Sequence, residues 1–223
     1  MLESGALSDA KFPEWSKNVV LFCHVTSQVT GDKYPKLLSE KGGRGFPMLA
    51  ILDAAGDVIA RHKGERTIDT LEATLKKARA FTDLRAKADG GDAKAKADVE
   101  IARLEIDVDL VKFDDARKRI ADLGALEADS KKRADTVLAD IETIDIMASA
   151  AQGRPAAAKR AYEMRKAGRM PSDQISLGYW HLVLDGADAA TDAVIYEESL
   201  NILKTLTFRK YDDTLKRLKG NKP

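Results

Sequence analysis

Cysteine is nearly missing: Cys23 stands alone among 223 residues. One thiol closes no disulfide within the chain, and no Cys/His cluster offers metal-ligand spacing, so neither a disulfide framework nor a metal site is expected. Histidine is almost as scarce, with His24, His62 and His181 far apart in sequence. Neither sign of charge prevails, since 37 Lys and Arg face 36 Asp and Glu for a net +1. The basic residues are scattered among acidic ones rather than gathered into a stripe, which argues against a nucleic-acid partner. No apolar run approaches the ~20 residues of a membrane helix, so no membrane partner is expected. The opening MLESGALSDAKFPEWS has no positive n-region and no apolar h-region. It is not expected to act as a secretory signal, and cytoplasm and periplasm stand as alternatives.

Hydrophobic residues make up 44% of the chain, enough to build a core in one large domain or two small ones. The strand signals lie in the first half. Asn18 to Thr26 reads NVVLFCHVT, a nearly continuous apolar run of the kind found in strands buried on both faces. Tyr34 to Lys41 predicts a short helix stopped by Gly42-Gly43, and Pro47 opens a second strand over Met48 to Leu52. Asp53-Ala54-Ala55-Gly56 is a turn with a glycine available for positive φ, followed by a third strand over Asp57 to His62. Thr67 to Phe81 carries Ile68, Leu71, Leu75 and Ala78 at helical spacing.

Past Phe81 the β-branched runs stop, and alanine, leucine, lysine and aspartate dominate. Helices are expected over about 92–111, 113–123, 129–152, 155–167, 172–185, 188–206 and 209–218. The breaks fall at Gly90-Gly91, Gly124, Gly153-Arg154-Pro155, Gly168 to Pro171, and Gly186. Short breaks between helices indicate antiparallel hairpins. Phe113 to Ile120 echoes Tyr211 to Leu218, and Gly153-Arg154-Pro155-Ala156 has the rhythm of a hairpin repeat. Both a degenerate tetratricopeptide-like (TPR-like) array, whose period is ~34 residues, and an ordinary helical bundle fit these marks. Two domains are therefore expected, residues 1–81 α/β with about three strands and residues 82–223 all-α helix-hairpin repeat or bundle.

The stretch Gly45-Phe46-Pro47-Met48-Leu49-Ala50-Ile51-Leu52-Asp53-Ala54-Ala55-Gly56-Asp57-Val58-Ile59-Ala60-Arg61 resembles the thioredoxin family's proline loop, strand, hairpin and last strand. Val19 to Val25 is similar to the strand after that family's redox helix, and the helix from Thr67 to its closing helix. The resemblance covers residues 12 to 81 and implies a truncated thioredoxin-like fold with a cis bond before Pro47. It also implies that Phe46 and Pro47 form the substrate-binding site. The family's first strand and Cys-x-x-Cys would lie before Met1, so this chain has no catalytic residues of that kind and is expected to be redox-inactive. The low-pKa attacking thiolate and the resolving thiol that the chemistry needs are both missing. The implied function is a thioredoxin-like binding or interaction module with a protein or peptide partner and no cofactor. The alternative is a thiol–disulfide oxidoreductase whose Cys-x-x-Cys lies upstream.

Cys23, in mid-run, is expected to pack in the core as a small apolar side chain. Tyr179-Trp180-His181 could line a binding site, but Ile175, Tyr179, Leu182 and Val183 form a helical stripe, which points to core. Ser130-Lys131-Lys132-Arg133 reads as a solvated helix face.

Overall fold

The structure, a computed structural model, describes residues 5–24, 31–172, 176–206 and 219–220. It divides into two compact units, Met1–Asp107 and Val108–Pro223. The expected boundary at 81/82 is a change of composition; the boundary in space falls later, after the helix that follows it.

In the first unit a 3-10 turn (Ala6–Ser8) and α1 (Phe12–Ser16) precede α2 (Leu37–Glu40), β1 (Ala50–Leu52), β2 (Val58–Arg61), α3 (Ile68–Asp89) and α4 (Ala93–Ile106). The strands pair antiparallel, Ala50 opposite Arg61 and Ile51 opposite Ala60. Their turn is held by Asp53, whose carboxylate accepts the N–H groups of Ala55 (3.0 Å) and Asp57 (2.9 Å), with Gly56 at φ +85°. Arg85 of α3 donates to the other oxygen of the same carboxylate at 2.8 Å. These bonds, the Asp57 N–H foremost and Arg85 next, hold Asp53 below its usual carboxylate range.

Thr67 caps α3: its hydroxyl accepts the Thr70 N–H, and the Thr70 hydroxyl accepts the Thr67 N–H. The helix runs past the expected end at Phe81, because residues 82–89 contain no breaker before Gly90-Gly91. α4 then returns onto β2. Arg103 donates to the Val58 carbonyl (2.6 Å) and lies 4.9 Å from the Phe81 ring centre, while Arg61 donates to the Ile106 carbonyl (3.1 Å). Ile59, Ala60, Ala78 and Phe81 form the small core between them.

The first unit does not have the thioredoxin-like fold that the resemblance implied. The expected first strand, Asn18 to Thr26, is no strand over residues 18–24: Val20 is 97% exposed and Phe22 67%. Residues 25 and 26 lie outside the described ones. An apolar run becomes a buried strand only where a neighbouring strand supplies hydrogen bonds and other layers cover its faces. Among the described residues no strand pairs with residues 20–24, and β1 pairs with β2 alone. The described residues are about 64% helical with two short antiparallel strands, which does not fit a thioredoxin-like fold. The Phe46–Pro47 bond is cis, as the resemblance implied, but one local turn does not make a sheet. Cys23, expected in the core, is exposed. Of the short helix expected over Tyr34 to Lys41, Leu37–Glu40 is helical.

The second unit is helical throughout its described elements: α5 (Phe113–Ala121), α6 (Ala128–Lys166), α7 (Ser176–Ala189) and α8 (Ala193–Leu206). α6 is broken at Gly153, whose φ of −173° and ψ of 84° are not helical. A straight helix would hold Thr143 and Met164 roughly 31 Å apart. The Thr143 hydroxyl instead meets the Met164 sulfur at 3.7 Å, so the arms on either side of Gly153 double back on each other. Pro155 fits the first turn of the second arm, where its missing N–H leaves no bond unmade. The core of the unit includes Ile146, Met164, Tyr179, Trp180, Val183, Leu200 and Leu203. Tyr179 is 0% exposed and Trp180 2%, their rings edge to face at 5.4 Å.

Gly186, expected to end a helix, lies inside α7. A Cβ there would stand 2.6 Å from Tyr162 Cβ and closer still to the Ala158 carbonyl oxygen. The glycine marks a close approach between α7 and the second arm of α6. The expected helix 209–218, and the echo at Tyr211 to Leu218, lie outside the described residues.

Candidate functional site

A cleft of about 720 Å³ opens in the second unit between α5, the first arm of α6 and the turn at residues 168–170. Each wall has a local cause. The first N–H groups of a helix lack partners within it. For α5 that need is met from α6, where Asp145 accepts the Phe113 N–H at 3.0 Å and stands 3.6 Å from the Lys112 ammonium. This fixes Phe113 and, one turn later, Arg117 at the cleft.

The turn that closes the other side follows from Gly168, at φ +74°. Its N–H donates to the Arg165 carbonyl at 2.9 Å and the Arg169 N–H to the Met164 carbonyl at 3.1 Å, the Schellman pattern that ends a helix on glycine. Asp140 accepts the Ser172 N–H at 2.6 Å and ties the chain beyond the turn to the first arm of α6. Arg169 and Met170 are thereby set at the cleft mouth.

The α6 wall is one stripe at three- and four-residue spacing: Ala128, Lys131, Asp135, Leu138 and Glu142. Glu142 is buried, and its carboxylate accepts from the Arg169 guanidinium. Burial pushes this carboxyl above the usual glutamate range, against the pull of Arg169, Arg160 and Arg117. With its oxygen held by Arg169, Glu142 serves as an anchor for the turn. The chemistry this arrangement offers is binding: apolar surface on Phe113, Leu138 and Met170 beside charged side chains of α5, α6 and the Gly168 turn.

The residues singled out from sequence lie elsewhere. Phe46 is 71% exposed and Pro47 is exposed, in a bend before β1, and neither borders the cleft. Their proposed role rested on the resemblance alone. His24 approaches Asp32 at 3.4 Å, His62 bonds Thr74 (2.9 Å) and the Glu65 carbonyl (2.8 Å), and His181 is half-buried. Among the described residues no group of three or more His, Cys, Asp and Glu could hold a metal ion, and no helix is long and apolar enough to cross a membrane. Tyr179 and Trp180 belong to the core, and burial pushes the Tyr179 phenol far above its usual range.

Lys131 and Lys132, read from sequence as a solvated face, are exposed and also border the cleft. The stripe escaped the sequence reading because it mixes apolar, basic and acidic residues, so no hydrophobic periodicity marks it. The signal that was present is the pair of helix terminators, Gly124 and Gly168, which set the cleft's two ends close in space. No family model, no curated protein and no solved structure matches the chain.

Proposed function

We propose that this chain is a protein-interaction module whose second unit receives a segment of a partner protein in the α5–α6 cleft. The observation that carries this reading is the cleft itself. Its volume of about 720 Å³ falls in the ~300–1,000 Å³ range of ligand sites, and its walls are fixed by helix-end hydrogen bonds rather than by the occupant. Preformed walls lower the ordering cost of association. The hairpin order of α5 to α8, with each helix packed on the next, supports reading the unit as a degenerate TPR-like repeat, an architecture that builds concave binding surfaces.

The test is a peptide selection. A displayed library of random twelve-residue peptides is panned against the full chain, and the winners are titrated by fluorescence anisotropy against the chain and its Leu138→Glu variant. Leu138 is half-buried at the cleft wall, so the variant should keep the parent's helical circular dichroism while weakening peptide binding at least tenfold. Undiminished binding to the variant, or no selected peptide at all, contradicts the reading.

A further inference from the structure

The charges around the cleft do not cancel as they do over the whole chain. Its lining holds four cations, Arg117, Lys131, Lys132 and Arg169, against two carboxylates, Asp135 and Glu142. Both carboxylates are engaged: Asp135 by Lys131 at 2.6 Å, and Glu142 by Arg169. Arg117 meets Asp114 at 3.6 Å with both side chains exposed, a pair of the weak surface kind. Lys132 has no ion pair among the described residues. Arg169 gives Nη1 to Glu142 and is about half exposed, which leaves further guanidinium N–H donors for an incoming group. Apolar surface at Leu138 and Met170 lies among these cations.

Resting on the interaction reading above, we infer that the segment the cleft receives is acidic: a peptide with Asp or Glu carboxylates at Arg117, Lys132 and Arg169 and an apolar side chain on Leu138 and Met170. A carboxylate suits Arg169 in particular, because a guanidinium can serve two carboxylates through separate N–H donors. A peptide fits better than a nucleic acid. The surplus in the cleft lining is two charges, in a chain of net charge +1, whereas nucleic-acid binding draws on an extended basic surface.

The peptides selected against the full chain provide the test. Each is resynthesised with its Asp and Glu changed to Asn and Gln, and titrated by anisotropy at 50 and 200 mM salt against the chain and the Arg117→Glu/Lys132→Glu double variant. Both positions are exposed, so circular dichroism of the double variant should match the parent. The selected peptides should be rich in Asp and Glu. Neutralising them, or using the double variant, should each weaken binding at least tenfold at 50 mM salt, and raising the salt should weaken the acidic peptides alone. Peptides that bind equally well when neutralised, yet still lose binding with Leu138→Glu, overturn the acidic occupant and leave the cleft reading standing. Insensitivity to Leu138→Glu, or a failure to select any peptide, overturns both. A single-stranded twelve-nucleotide DNA that matches the acidic peptides in affinity also overturns the inference, because charge alone would then suffice.

Discussion

Residues 19–24, Val-Val-Leu-Phe-Cys-His, and residues 179–184, Tyr-Trp-His-Leu-Val-Leu, are apolar hexapeptides of similar character. The second is almost wholly buried, with Tyr179, Trp180, Leu182, Val183 and Leu184 all in the core. The first leaves Val20, Leu21, Phe22 and Cys23 exposed. The difference lies in what surrounds them. α7 packs against both α6 and α8, and all three contribute apolar side chains to one core. Among the described residues, 20–23 have neither a ladder partner nor a covering helix. Apolar composition supplies the drive to leave water, and a complementary neighbour decides whether it is satisfied.

The sharpest way to break this comparison is Trp180→Ala. At 2% exposure, losing the indole should cost about 3–5 kcal/mol, as large core truncations do; a urea melt that shifts by under 1 kcal/mol would show that α7 is not packed as described. Next is Gly186→Ala, which sets a methyl against the Ala158 carbonyl and Tyr162. Overpacking of this kind costs about 1–3 kcal/mol, and an unchanged melting temperature would mean that α7 and α6 are further apart.

Two carboxyls extend the comparison to charge. Asp53 in the first unit is held below 3.8 and Glu142 in the second is raised above 4.5, so side-chain NMR titration should find them on opposite sides of their ordinary values. The stability they contribute then runs in opposite directions. Asp53 supports folding above its unfolded-state value of 3.8 and loses that contribution as pH falls through its folded value. Glu142 carries a burial penalty that is complete above its folded value and gone below its unfolded-state value of 4.5. Finding both on the same side would remove the contrast. The smallest effect belongs to Phe22→Ser, within about 0.5 kcal/mol for a ring that is 67% exposed and, among the described residues, stacks only on its neighbour His24 at 6.5 Å. A larger cost would show that residues 19–24 pack against something in solution.

By itself the sequence determined the local elements. The hairpin follows from Asp53 and Gly56, because an aspartate that accepts nearby N–H groups and a glycine at positive φ specify that turn without distant help. The helix ends at Gly91, Gly124 and Gly168 follow from the same positive-φ glycine, and the break before Pro155 from a proline that cannot continue a helix. Tyr179 was legible as core from the stripe it forms with Ile175, Leu182 and Val183. Tertiary structure alone decided three other matters. Whether Val19 to His24 joined a sheet depended on a neighbouring strand that no local pattern reports. Gly186 has the same composition signal as a helix stop, and only the approach of Ala158 and Tyr162 shows that it serves close packing inside α7. The cleft joins Arg117, Leu138, Glu142 and Arg169 across two chain reversals. Residues of such different character share no periodicity along the chain, so the surface they form exists only once α5, the first arm of α6 and the Gly168 turn are brought together.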